Sequence, residues 1–183
     1  MINFRNMLQS AGGYILHEST LEALESLYNF KKALDASDRL IKHHLIVLNT
    51  ALKIVGGLPR EVLPHFNIEL LASGCSLHDA GKMIVTSELD HVGSTHEEIG
   101  RTLLILLGIP TIIANFCLSD EFDTMEKCIS LLADTLWKGF RNYDIEDKLT
   151  ELIADKMGWD FWDTFQILDG LFESIAKENF QIY

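Results

Sequence analysis

The chain has 183 residues, of which 48% are hydrophobic and 23% charged, a balance typical of one globular domain and not of a disordered chain. Its formal net charge is −12, and a surface that binds a nucleic-acid polymer needs clustered Lys and Arg instead. The longest apolar run, 103–116, is broken by Gly108 and Pro110 and is too short to span a bilayer. Composition therefore predicts a single domain over 1–183 without membrane or polynucleotide partners.

Helical patterning runs through the chain, because apolar residues recur mostly three and four positions apart and no segment alternates like a strand. Helices are predicted over 21–34, 37–57, 68–83, 95–108, 109–118, from 124 onwards, over 144–158 and over 160–180. The expected fold class is all-α, a single bundle of about eight helices.

Local signals place several helix ends. Ser37 is a candidate N-cap for the second helix, and the pair Gly56-Gly57 marks its end. Ser94 with Glu97 and Thr95 with Glu98 both have the spacing of a capping box, which predicts a helix beginning there. Pro110 fits the first turn of the short helix that follows.

The cysteines and the N-terminus bear on the compartment. Cys75, Cys117 and Cys128 are isolated and form no CxxC pair, so neither a disulfide framework nor a zinc knuckle is indicated. The first fourteen residues lack the continuous apolar core of a secretion signal. A reducing, cytoplasmic compartment is the simplest interpretation.

The stretch "LHDAGK" places an imidazole beside a carboxylate at His78 and Asp79. Adjacent side chains on a helix point about 100° apart, so these two need further ligands from other helices to form a metal site. His43 or His44 is the first candidate, and His43 is favoured because Val47 continues its apolar register.

Asp134 is the second candidate, since it follows a Leu-Leu-Ala run in an amphipathic segment. Leu131 and Trp137 lie three residues to either side, which turns this carboxylate inward and requires a partner for it.

These residues occur in the order H…HD…D, and the chain thereby resembles the HD-domain superfamily of metal-dependent phosphohydrolases. The likeness covers roughly 35–140, with helices at 144–180 completing the domain. "LHDAGK" looks like the family's central signature, "STHEEIGRTLL" is similar to a segment that carries another histidine, and "LLADTLWKG" looks like the late-aspartate segment.

The resemblance implies that His43, His78, Asp79 and Asp134 hold a divalent cation. Mn²⁺, Fe²⁺, Co²⁺, Ni²⁺, Mg²⁺ and Zn²⁺ remain open, with the oxygen-rich set favouring an open site over a closed tetrahedral one. Asp79 and Lys82 are the expected catalytic residues. Lys82 lies one turn from His78 on the same helical face, where it would offset phosphate charge.

Two further residues are candidates for substrate binding. His96 resembles the position that helps to hold a second ion or the substrate, and Arg101 is a potential phosphate donor, as is Arg141. Cys117, Ser119 and Asp120 stand where two-metal members carry imidazoles, which disfavours a second metal. The Gly-Tyr-Pro extension of the cyclic-dinucleotide phosphodiesterase branch is also absent after the dipeptide.

The remaining histidines and the aromatic set have ordinary interpretations. His17, His65 and His91 are treated as non-functional, and the aromatic residues at helical spacing as core. That aromatic set is Trp137, Trp159, Phe161, Trp162 and Phe165.

The first functional hypothesis is a metal-dependent phosphohydrolase acting on a small phosphate ester such as a nucleotide. The alternative is a non-catalytic HD-fold protein that binds metal or nucleotide for regulation. Oxygen chemistry at a two-iron site is the weakest of the three because the second-metal ligands are poor. Oligomeric state, including a homo-oligomer, is left open.

Overall fold

The protein is described by a computed structural model over residues 18–34 and 36–178. Within these ranges it has eight α-helices and no strand, which confirms the all-α prediction. The helices are α1 (Glu18–Ala33), α2 (Asp38–Gly57), α3 (Ile68–Leu77), α4 (Thr95–Leu106), α5 (Thr111–Ala114), α6 (Met125–Leu136), α7 (Tyr143–Met157) and α8 (Phe161–Lys177). None of the helices in the described ranges has the length and apolarity needed to cross a membrane. His17 and the first fourteen residues, where the sequence shows no secretion-signal core, lie outside the described residues.

Side-chain caps fix the starts of the longer helices. Ser37 accepts a hydrogen bond from the Leu40 backbone N at 3.2 Å, so α2 begins where the sequence predicts, and it ends at Gly57. Thr124 caps α6 in the same way, and Asp160 caps α8 through two backbone N–H groups. Each cap satisfies donors that the first helical turn leaves unpaired.

The predicted capping box of Ser94 and Glu97 at α4 is wrong, although the helix does begin at Thr95. The Ser94 side chain makes no capping hydrogen bond, and the Glu97 carboxylate instead accepts from the Ser119 backbone N and Oγ, both at 2.9 Å. A different carboxylate, Glu88, accepts from the His96 backbone N at 3.2 Å and serves the N-terminus of α4.

The predicted helix over 68–83 is also wrong, because α3 ends at Leu77. Asp79 leaves helical geometry with φ −105° and ψ 22°, and residues 80–83 form a tighter 3₁₀ turn. In that turn the Lys82 backbone N donates to the Asp79 carbonyl at 3.0 Å. The tighter turn brings Gly81 against the backbone of α4, where a Cβ on Gly81 would lie 1.9 Å from the His96 carbonyl oxygen.

The described residues form two apolar clusters, and the smaller one includes the residues that flank the dipeptide. The main core is shared by α1, α2, α3, α6, α7 and α8, and includes Cys75. A smaller cluster contains Leu77, Ala80, Leu104, Ala114 and Cys117. Since Leu77 and Ala80 are fully buried on either side of the His78-Asp79 pair, packing fixes the position of that pair from both ends.

Part of the aromatic prediction is wrong. Trp137 and Trp159 pack partly buried against the main core, as expected. Trp162 is instead 66% exposed, and its ring makes edge contacts with Phe161 and Phe165 on the same turn of α8. The helical spacing indicates that these three rings lie on one side of α8, but it does not show whether that side is buried.

Candidate metal centre

Side chains from three separate segments meet beside the end of α3. The Nε2 atom of His43, on α2, lies 3.2 Å from each of three groups: His78 Nε2, Asp79 Oδ2 and Asp134 Oδ1. His78 Nε2 lies 3.7 Å from Asp79 Oδ2 and 4.0 Å from Asp134 Oδ1, and α6 supplies Asp134. The structure therefore brings all four predicted ligands together.

The spacing of the His43, His78 and Asp134 donor atoms fits a divalent cation, and Asp79 Oδ2 lies beside them, 3.2 Å from His43 Nε2. Ligand atoms about 2.1 Å from one ion, at right angles to each other, lie about 3 Å apart. One nitrogen of His43, one nitrogen of His78 and one oxygen of Asp134 all lie within 4.8 Å of one another. Two imidazoles with two carboxylates suit a borderline or hard ion, as the sequence predicts.

His43 is the α2 histidine that reaches this cluster. The neighbouring His44 is fully buried and contacts Lys31 Nζ through Nδ1 at 3.2 Å, while its Nε2 has no hydrogen-bond partner among the described residues. Burial holds the pKa of His44 well below its usual range, so this imidazole is neutral. His44 packs behind His78, with ring centroids 5.1 Å apart.

His78 is oriented by the backbone. Its Nδ1 donates to the Cys75 carbonyl at 3.0 Å, which leaves Nε2 directed at the cluster. Burial lowers the pKa of His78, although the nearby Asp79 and Asp134 charges oppose the shift. A neutral imidazole held by a backbone carbonyl is the form in which histidine binds metals.

Asp79 connects the cluster to Lys82 and His96. Its Oδ2 lies 2.6 Å from Lys82 Nζ, and its Oδ1 lies 3.0 Å from His96 Nε2. Burial alone would raise the pKa of Asp79, but the neighbouring imidazole of His78, hydrogen bonds from His43 and His96 and the ammonium of Lys82 outweigh burial and hold that pKa far below its usual range. Asp79 is therefore ionised and available as a ligand.

His78 and Asp79 converge because the helix ends between them. The expectation that they diverge by about 100° assumed one continuous helix, and their donor atoms are instead 3.7 Å apart. The same 3₁₀ turn corrects the placement of Lys82. Residues three apart eclipse in such a turn, so Lys82 lies beside Asp79 and not on the face of His78.

His96 is clamped between two carboxylates. Its Nδ1 lies 2.5 Å from Glu88 Oε2, while its Nε2 faces Asp79. The hydrogen bond to Asp79 raises the pKa of His96 against the effect of burial, and Glu88 raises it further. No sequence pattern indicated Glu88, because the segment around it is polar and lacks helical periodicity; in the structure it lies in a short 3₁₀ turn over 86–89.

Asp134 forms one wall of the cluster and remains partly exposed. Lys138 Nζ lies 3.1 Å from both of its carboxylate oxygens, and Trp137 Nε1 approaches Oδ1 at 3.4 Å. The partner that an inward carboxylate requires is therefore Lys138. The i,i+4 spacing of Asp134 and Lys138 was a signal for this pair that sequence analysis missed.

The cluster lies between two cavities. The larger, about 520 Å³, is bordered by His43 and Asp79, and the smaller, about 170 Å³, by His78, Asp79 and Asp134. Lys82 lines both cavities and His96 lines only the smaller. A volume of several hundred cubic ångströms matches that of small-ligand sites.

Neither predicted arginine borders these cavities. Arg101 donates through Nε to Asn115 Oδ1 at 2.9 Å, and Arg141 is held by Glu146 and Asp169. Burial raises the pKa of Cys117 to about 12, so its thiol stays protonated and is a poor metal ligand. His65 and His91 are exposed.

Comparisons with models of known families, with curated protein sequences and with solved structures returned no match. The resemblance to HD-domain phosphohydrolases therefore rests only on the order of the histidines, aspartates and matching segments along the chain.

Proposed function

We propose that the protein is a divalent-metal-dependent phosphohydrolase that acts on a small phosphate ester. The observation that carries this proposal is the meeting of two imidazole nitrogens and two carboxylate oxygens, from three segments, beside a cavity of about 520 Å³ that His43 and Asp79 border. Such a donor set favours a cation that also binds phosphate oxygens.

His43, His78, Asp79 and Asp134 would hold the cation. A divalent ion at this position supplies Lewis acidity to a phosphoryl oxygen and lowers the pKa of a water molecule, which makes that water a nucleophile near neutral pH. The reaction consumes one water, breaks the P–O bond of the ester and releases an alcohol and phosphate.

Two neighbouring residues support this chemistry. Lys82 lines both cavities beside Asp79, so its ammonium group is placed to neutralise charge on a phosphoryl oxygen. His96 acts as a positioning residue, because its hydrogen bond holds Asp79 Oδ1 while Glu88 fixes the ring.

Phosphate release from a panel of phosphomonoesters, with Mn²⁺ or Ni²⁺ supplied, tests the proposal. We expect turnover that requires metal and falls at least about a hundredfold in His78→Ala, because the reaction depends on the ion. His91→Ala is the matched control, since His91 is exposed in a loop and its loss leaves the cluster intact.

The result that contradicts the hydrolase is the absence of phosphate release from every ester by protein with metal demonstrably bound. That result, combined with ligand-dependent stabilisation of the fold, supports the non-catalytic binding protein instead.

A further inference from the structure

One face of α2 lines the larger cavity. Arg39, Lys42, His43 and Ile46 stand at positions i, i+3, i+4 and i+7, so they share that face. With Lys82 and Lys138, four cationic side chains border this cavity in a chain whose formal net charge is −12. Such a local concentration of positive charge marks the cavity as a site for an anion.

Three of these cations already have carboxylate partners. Lys82 pairs with Asp79, Lys138 with Asp134, and Arg39 with Asp90. They keep their charge near the cavity, but part of it is compensated.

Lys42 is different. It is partly buried, and among the described residues no hydrogen bond or ion pair engages its ammonium group. The carboxylate nearest along the helix, Asp38, is bonded to Lys32 and feels Lys42 only through space. A partly buried ammonium without a partner, in the wall of a cavity, is placed to bind an anionic group of a ligand.

Lys42 directly precedes the proposed ligand His43 on α2, so the two side chains leave the helix about 100° apart. Arg39, which lines the same cavity, lies about 6 Å before His43 along the helix axis. Ile46, Leu89 and Trp137 supply apolar surface to the same cavity. A ligand with its phosphate at the metal ligands therefore meets apolar walls and, at the Arg39 end, a second positive position.

We infer that the substrate is a phosphate ester that carries a second anionic group, a carboxylate or another phosphate, across a flat or apolar spacer. The second group binds Lys42, with Arg39 nearby, while the spacer lies against Trp137 and Ile46. This inference rests on the proposed function, because it assigns the scissile phosphate to the cluster around Asp79.

Calorimetric binding of rigid aryl phosphonates to the metal-loaded protein tests the inference, because their P–C bond is not cleaved by ester hydrolysis. The probes are phenylphosphonate, 4-carboxyphenylphosphonate and 1,4-phenylenebisphosphonate. We expect at least one of the two probes with a second anionic group to bind about tenfold more tightly than phenylphosphonate, because that group adds a charge-assisted hydrogen bond to Lys42. The two probes distinguish a carboxylate from a phosphate as the second group.

Variants of α2 assign the effect to Lys42. Lys42→Met should reduce the affinity ratio to less than about twofold, while Lys42→Arg retains it because the charge remains. Lys53→Met is the control, since it removes the same charge from the same helix about 16 Å further along. Circular dichroism and a melting curve verify that each variant folds.

Two results would overturn the inference: equal binding of all three probes by the wild type, or an unchanged ratio in Lys42→Met. A preference that depends on Lys42, in a protein that releases no phosphate from any ester, would leave the second anionic position standing and refute only the hydrolase. Phosphate release by a protein that binds all three probes equally would support the hydrolase and refute the second anionic position.

Discussion

Lys31 is buried behind the candidate metal ligands, with only 3% of its surface exposed. Its Nζ donates to the Ser76 carbonyl at 3.1 Å and lies 3.2 Å from His44 Nδ1, and no carboxylate of the described residues pairs with it. Burial lowers the pKa of Lys31 from 10.5 to about 8. The folded state therefore binds this proton less tightly than the unfolded state does.

We expect the free energy of unfolding of the wild type to rise relative to Lys31→Met as the pH increases from about 8 to about 10.5. Below pH 8 folding carries the cost of a buried charge, and above it the folded state releases the proton before the unfolded state does. Integrated over the range, the relative gain is on the order of 3 kcal/mol. Urea unfolding at several pH values measures it.

Comparison with Lys31→Met cancels the titration of other groups, including the buried thiols. Lys156→Met is the matched control, because Lys156 is exposed on α7 and its loss should give a difference independent of pH. A wild-type curve parallel to that of Lys31→Met across the range would show that Lys31 is not desolvated.

The choice between His43 and His44 shows what the residue pattern can supply. The register with Val47 selected His43, yet every position from 44 to 48 on α2 is buried, so register alone does not separate the two. His43 differs because it faces the cavity bordered by α2, the turn at 80–83 and the end of α6, and a cavity is a property of packing. Lys42 and Arg39 were missed for the same reason.

At the scale of elements, the 3₁₀ turn over 80–83 packs directly on α4. Gly81 and Gly100 face each other, and a Cβ on either would lie 2.7 Å from the backbone N of the other. The missing side chains of both residues permit this close packing. This contact holds the turn that carries Asp79 and Lys82, so the geometry of the cluster depends on it.

We expect Gly81→Ala to destabilise the fold by at least about 2 kcal/mol, because backbone atoms of α4 cannot move away as a flexible side chain can. Gly170→Ala is the control within α8, where no atom lies within 4 Å of the added Cβ. That change should stabilise by about 0.5–1 kcal/mol. Chemical denaturation measures the free energy of unfolding of both variants. Similar changes in the two would contradict the close contact between Gly81 and α4.

The ends of helices were predictable where a residue next to the end caps or terminates the helix. Ser37 and the glycines that end α2 are such cases. The end of α3 was not, because the residues after Leu77 still carry helical spacing, whereas in the structure they form the 3₁₀ turn that packs on α4 through Gly81. Likewise, Glu88 replaces the predicted cap of α4 from a short 3₁₀ turn that no local pattern links to it.

At the scale of the whole molecule, the charge around the larger cavity has the opposite sign to the net charge of the chain. The chain is strongly acidic, yet the cavity beside the cluster is bordered by four cations. Net charge predicted the absence of a polynucleotide surface, but it does not describe one cavity, and the fold brings the four cations together from α2, the turn at 80–83 and the end of α6. Residues distant in sequence form the cavity, so composition alone does not reveal it.

Metal binding per chain, measured by calorimetry with Mn²⁺ and checked by elemental analysis, tests the central proposal most directly. We expect one ion per chain, with affinity reduced at least about a hundredfold in His43→Ala, His78→Ala and Asp134→Ala because each removes a ligand. His91→Ala should bind like the wild type. An affinity that survives all three ligand substitutions, or a wild-type protein that binds no divalent ion, would contradict the metal centre.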